Sequence, residues 1–233
     1  MRLSHLTVLL FCVTFTVPKA TPSDDVHPLQ MRMDKAASEF KAMTANVTWV
    51  THTDVLNEDS TETGSITMRR VKAGEVQGLV KFEKPDPKMV YLEKPNLQIY
   101  YPKTKILEVW DLGDQAEQLY QFVMIGFGTS GTALAKDYEL KVLGMDTPNG
   151  QTASAIHLQL TPKAAKVREY VKNLELWIPE QGDPYPIREK VSQPSGDYRS
   201  VIYSDLKINP LPLPPDALKL KLPAGVKTEP HHK

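Results

Sequence analysis

Between Val47 and Leu112 apolar and polar residues alternate with a period of two, and proline or asparagine interrupts the alternation every few residues. A period of two sends successive side chains to opposite faces of a strand, so this stretch is committed to a sheet with short connections. NVTWVTHTDV and STETGSITMRRV come first, around a polar turn near Asn57–Ser60. EVQGLVKFE, KMVYLE, LQIYY and KILEVWDL follow, separated by KPDP, KPN and PKT. Val76, Gly78, Val80 and Phe82 share one face. Pro85, Pro87, Pro95 and Pro102 fall at run ends, where a missing N–H donor does least harm. Proline makes up 19 of 233 residues, about 8% against a usual ~5%. So many breakers weigh against a helical bundle. The pattern predicts an antiparallel meander.

Strands resume at YELKVLGMD, SAIHLQLTPK, VKNLELWIPE, YPIREKVSQ and DYRSVIYSDLKIN, with turns at Asn149–Gly150, QGDP (181–184) and PSG (194–196). The spacing predicts a helix over 28–44, because Leu29, Met33, Ala36, Ala37, Phe40 and Met43 recur at three and four. Pro28 suits its first turn. A second helix is predicted over 114–127, opened by Asp114 and Glu117 as a capping box and apolar nearly all round from Leu119. A third follows near Thr132–Asp137. The Pro-rich tail has one expected strand, Leu218 to Leu222, and fraying is expected at 230–233. About ten strands and two or three helices imply one wide sheet that curls on itself.

The N-terminus reads MRLSHLTVLLFCVTFTVPKA: a basic start, then an uncharged, mostly apolar run from Leu6 to Val17. That predicts a secretory signal peptide over 1–20, too short for a bilayer span, which takes ~20 residues. The mature part, 21–229, is read as a single domain. The chain has 28 cations and 28 anions; losing Arg2 and Lys19 with the leader leaves −2. A bulk electrostatic grip on nucleic acid is therefore not expected. Cys12, the one cysteine, goes too, so stability must come from the core rather than from disulfides.

Chemistry-bearing motifs are sparse. GFGTSG at 126–131 matches G-x-G-x-x-G, but no parallel βαβ setting surrounds it, so it reads as a flexible hinge rather than a dinucleotide site. There is no G-x-S-x-G, H-E-x-x-H or P-loop, and His157 is expected to face solvent. Neither an enzyme nor a cofactor or metal site is expected. The informative set is aromatic and Met: Phe82, Met89, Tyr91, Tyr100, Trp110, Phe122, Met124, Phe127 and Trp177. These residues either fill a core or line a cavity under an over-apolar helix.

VKFEKPDPKMVYLEKPNLQIYYPKTKILEVWDL resembles a stretch of the bacterial outer-membrane lipoprotein carrier proteins (LolA-like). LQLTPKA at 158–164 and YRSVIYSDLKINPLPLPPDALKLKLPAGVKTE at 198–229 extend the likeness, through Asn209, Leu218 to Leu222 and Pro223–Ala224–Gly225–Val226. The resemblance implies a mainly β chain with a few helices: an unclosed antiparallel β-barrel, or half-barrel, whose helices cover an apolar cavity. It implies a periplasmic monomer that takes acylated lipoproteins from an inner-membrane ABC transporter to an outer-membrane acceptor. Phe82, Tyr91, Tyr100, Trp110, Phe122, Phe127 and Trp177 are the expected cavity or lid residues. Lys84 stands where the family has an Arg that latches the lid, and Lys lacks the planar fork of Arg. The alternative is a periplasmic sensor or scaffold of the same fold that binds a regulatory protein or lipid signal.

Overall fold

The computed structural model describes residues 25–72, 74–113, 123–147, 154–210, 212–214 and 216–231. The expected signal peptide, most of the expected 114–127 helix with Phe122, and the Asn149–Gly150 turn lie outside the described residues. Twelve strands form one sheet: β1 (Ala42–Thr53), β2 (Glu58–Lys72), β3 (Glu75–Lys84), β4 (Lys88–Glu93), β5 (Asn96–Tyr101), β6 (Ile106–Asp111), β7 (Tyr138–Asp146), β8 (Ala155–Pro162), β9 (Asn173–Pro179), β10 (Arg188–Ser192), β11 (Tyr198–Ile208) and β12 (Lys227–His231). Among the described residues the complete helices are α1 (His27–Glu39), α2 (Gly131–Asp137) and α3 (Ala165–Arg168).

The strand order is β12-β6-β5-β4-β3-β2-β1-β11-β10-β9-β8-β7. The sheet is not closed: β12 and β7 are its edges, and the result is an open half-barrel. All neighbours are antiparallel except β12, which pairs in parallel with β6. Pro230 and His231 continue this strand opposite Val109 and Trp110, so fraying does not begin at 230. Pro230 is tolerated because β12 is an edge. The strand expected at Leu218 to Leu222 does not form; these residues are turn and coil. Leu218 instead packs on Leu79 and Tyr91.

α1 begins with Pro28 in its first turn and buries Leu29, Met33, Ala36 and Ala37. It ends five residues earlier than the apolar spacing suggests, because Phe40 is extended and the chain turns into β1. Asn209, at φ +49°, holds that corner. Its Oδ1 accepts from the Lys41 and Ala42 amides (2.7 and 3.1 Å), and its Nδ2 donates to the Glu39 carbonyl (2.9 Å). The last carbonyl of the helix and the first amides of the strand are thereby satisfied by one side chain.

The register assigns the faces. Met43, Ala45, Val47 and Trp49 of β1 lie with Met68, Ile66 and Gly64 of β2, and with Tyr203 and Val201 of β11. This is the inner face, across which the helices lie. Ala36 of α1 and Phe40 just beyond it pack on Met43, Met68 and Val76. Leu29 and Met33 pack with Leu134 of α2 on Leu158, Leu160, Leu174, Leu176 and Ile178. Each such side chain contributes roughly 1.5–3 kcal/mol when fully buried.

Candidate functional site

Over β1, β2 and β7–β11 the helices pack directly on the sheet. Over β3–β6 the inner face carries Val80, Val90, Leu97, Ile99 and Trp110, all half-buried, and Trp49 of β1 joins them. Phe82 stands edge-on to Trp49, with ring centroids 6.1 Å apart. Together these side chains make, among the described residues, a mostly apolar trough; Trp49, Val80 and Leu97 also pack against the core, and Glu108 lies opposite Ile99, accepting from Trp110 Nε1 at 3.3 Å. A polar belt bounds it at the end nearest the β3–β4 and β5–β6 turns. There Lys88 pairs with Glu62 at 2.8 Å and lies over the Phe82 ring at 4.8 Å. Tyr101 stands beside Glu62 and Glu108; burial first, then those two carboxylates, push its hydroxyl above the usual phenol range.

The sequence-predicted residues divide between the two faces. Phe82 and Trp110 are on the inner face, in the trough. Trp110 stacks on His231 at 4.1 Å. Phe127 is also on the inner side but is buried, wedged among Phe40, Tyr185 and Tyr203 at 6.3, 6.0 and 5.1 Å. It fills the core there.

Tyr91, Tyr100 and Trp177 are not where they were expected. Register puts all three on the outer face. Tyr91 lies under Leu218 in a network with Gln77 and Glu93, and Tyr100 sits between Met89 and Leu107. Trp177 is held by Asp146, whose Oδ2 accepts from its Nε1 at 2.7 Å. His157 stacks on it at 4.2 Å, and the Arg188 guanidinium lies 4.5 Å from its ring. His157 is thus a packed residue, bonded to Glu175 at 2.7 Å, and does not stand free in solvent.

Lys84 is exposed at the end of β3, paired with Thr63 of β2, and its side chain makes no hydrogen bond or ion pair with a described residue. The cation that reaches the 124–129 turn is Arg70 of β2. Its Nη2 donates to the Gly128 carbonyl at 3.0 Å, and its guanidinium lies 5.6 Å from the Phe40 ring centre. The GFGTSG segment, expected to be a flexible hinge, is closely packed at its glycines. A Cβ on Gly126, whose φ is +82°, would come within 2.6 Å of Pro186. A Cβ on Gly131 would come within 2.7 Å of the Gln30 backbone, so glycine lets α2 approach α1. Asp34 of α1 locks that approach, accepting from the Thr132 amide (2.8 Å) and hydroxyl (2.6 Å). These bonds hold its carboxyl below the usual range. An open cleft of about 400 Å³ remains at this seam, lined by Asp34, Ser38, Met124 and Thr129.

Arg70→Met keeps the apolar stem and removes the bond to Gly128. A hydrogen bond to a charged group is worth about 1.5–3 kcal/mol. The variant is expected to lose that much in urea unfolding and to exchange the Phe127–Thr129 amides faster. Unchanged exchange would show that Arg70 does not hold the turn.

Under the turn lies Glu189 of β10, on the inner face opposite Val201 and Leu176. Part of the residue is exposed, but its Oε1 is out of solvent contact and has no hydrogen-bond partner. Burial pushes this carboxyl up to about 8; a hydrogen bond with Tyr203 acts the other way. Burial and Glu189 together raise the Tyr203 hydroxyl well above the phenol range.

Trp49, Arg70 and Glu189 were not singled out from the sequence. Trp49 had a signal, the aromatic position in an alternating run. Arg70 had none, since the Arg69–Arg70 pair sends one side chain to each face. Among the described residues no group of three or more His, Cys, Asp or Glu side chains could hold a metal ion, and no helix is long and apolar enough to cross a membrane.

No protein-family model and no curated protein matches the sequence. Solved structures do match. An uncharacterized conserved protein from Thermus thermophilus is 14% identical, with 88% of this chain and 99% of that one covered and a TM-score of 0.52. MucB is 17% identical, with 86% of this chain and 64% of that one covered, also at 0.52. A LolA superfamily protein from Nitrosomonas europaea is 13% identical, with 80% and 94% covered and a TM-score of 0.36. At such identities the likeness concerns the fold. An unclosed sheet, antiparallel but for one edge strand, with helices laid across its inner face, is the fold this chain shares with MucB and the Thermus protein.

Proposed function

We propose that this protein is a non-enzymatic carrier that shelters the acyl chains of lipoproteins in the trough over β3–β6 during passage through the periplasm. The observation that carries this reading is the half-buried apolar strip from Trp49 to Trp110, ending at the Glu62–Lys88 belt. An acyl chain fits the strip, and its polar end fits the belt. The donor would be an inner-membrane ABC transporter and the receiver an outer-membrane acceptor, as the resemblance implies.

Energetics favour a trough over a closed chamber. Burying a sixteen-carbon chain from water is worth about 12 kcal/mol at ~0.8 per CH₂. Three chains would give about 36, beyond the ~18–21 practical ceiling. A half-open site binds less tightly and lets its cargo go.

The test uses strand parity. The purified protein is expected to take up a fluorescent fatty acid. Ile99→Glu, on the inner face, should weaken uptake about tenfold or more, because a second carboxylate then joins Glu108 against the chain. Gln98→Glu, one residue away on the outer face, should leave it unchanged. No uptake by the wild type sinks the carrier reading. If the protein then retains an envelope protein in a pull-down, the sensor or scaffold reading takes its place.

A further inference from the structure

We propose that the connection between β8 and β9, residues 163–172, is the point at which this protein docks on an anionic phospholipid surface. The segment reads KAAKVREYVK: four cations against one anion, Glu169, in a chain whose formal charge is zero. The imbalance is local, which is why overall composition hides it. Residues 163–170 are all exposed, and α3 buries none of its side chains.

The excursion is nevertheless ordered. Val167 and Arg168 amides bond to the Ala164 carbonyl (3.1 and 3.2 Å), and Tyr170 and Val171 amides to that of Val167 (3.0 and 2.9 Å). Arg168 clasps the Pro162 and Lys163 carbonyls. Lys163 Nζ donates to the Ala135 carbonyl, and the Lys163 amide to that of Asp137, tying the turn to the end of α2. That end adds exposed Lys136 and Asp137. None of Lys136, Lys163, Lys166, Arg168 and Lys172 is ion-paired with a described residue.

What this turn presents outward is apolar. Val167 is 41% and Tyr170 72% exposed, three residues apart and so on one side of the turn. An amphipathic aromatic ring flanked by lysines matches the bilayer interface, where apolar atoms enter the headgroup layer and cations meet anionic lipid. The turn protrudes and forms no groove, so it offers a protein partner little area to cover, whereas insertion needs none.

A comparison within the same rim sharpens the point. The β1–β2 tip lies at the same end of the sheet, since Tyr198 of β11 pairs with both His52 and Ser192. Its Val55 and Leu56 are 89% and 63% exposed. They sit among Asp54, Glu58, Asp59 and Asp197, which an anionic surface repels. Apolar exposure alone therefore does not select the docking point; charge does. This inference stands whether or not the trough takes lipid.

The test is co-sedimentation of the purified protein with phosphatidylglycerol–phosphatidylcholine vesicles and with phosphatidylcholine alone. Stronger binding to the anionic vesicles, weakened by salt, is expected. Each neutralised cation should lower the partition about fivefold, so Lys166→Gln with Lys172→Gln should lose about 25-fold. Tyr170→Ser should also bind more weakly, while Leu56→Ser should match the wild type. All four positions are exposed, and unchanged melting curves would confirm folding. The proposal is overturned if the wild type shows no preference for anionic vesicles, if the loop variants bind like the wild type, or if the chain ignores vesicles but is retained by an acidic peptide.

Discussion

Glu189→Gln is expected to flatten the pH dependence of folding stability between about pH 5 and 8. The carboxyl ionises near pH 4.5 when unfolded and near 8 when folded, because its oxygen sits out of water beneath Gly126. Below pH 4.5 both states are protonated and the group contributes no slope. Between 4.5 and 8 the unfolded chain has lost the proton and the folded chain keeps it, so rising pH favours unfolding. Above 8 both are ionised and the loss is complete. From a carboxyl near 4.5 to one near 8, the total is on the order of 5 kcal/mol, a large share of a usual stability of about 5–15. Urea midpoints at pH 5, 6.5 and 8 measure it. The wild-type midpoint should fall across the series and that of the Gln variant should fall much less. Parallel curves would show that the carboxyl is hydrated or paired in solution.

Gly64→Ala should cost about 3 kcal/mol or more. A Cβ there would lie 2.0 Å from the Lys81 carbonyl oxygen and 2.8 Å from Phe82 Cα. The offending atoms are backbone, held by the β2–β3 ladder at a bulge between Thr63 and Gly64, so no side chain can swing away. Overpacking of this kind costs about 1–3 kcal/mol, occasionally more. At about 2–4 °C per kcal/mol for a chain this long, the melting temperature should drop by roughly 10 °C. Gly78→Ala is the control. It lies on the same face of the next strand with only the Thr67 carbonyl at 4.0 Å, and it should change stability by under about 0.5 kcal/mol. Equal effects at the two positions would refute the packing argument.

Eleven of the strands could be read from alternation and turn residues, and the shared face of Val76, Gly78, Val80 and Phe82 proved to be the inner one. The errors came where alternation is silent. In KMVYLE both Met89–Tyr91 and Val90–Leu92 are apolar, since the tail carrying Leu218 covers the outside as the core covers the inside. With both faces apolar, period two cannot say which set looks inward. The same holds for Trp177 between Leu176 and Ile178. Its outward place depends on Asp146, His157 and Arg188, which are remote in sequence. β12 was missed because Pro230 argues against a strand and its partner, β6, lies over a hundred residues away. The aromatic set was legible in composition; which face each member takes was legible only through register, and the Glu62–Lys88 belt was not read from the sequence at all.

The central seam joins β1 to β11, with Val47 opposite Tyr203. A chain threaded outward from its N-terminus delivers β1 through β6 early, yet β1 keeps one bare edge until residues 198–208 arrive. Loop closure over such a span is slow relative to local pairing. Completion of the sheet therefore waits for nearly the whole polypeptide, so a strand made near the end decides when the first one loses its exposed edge.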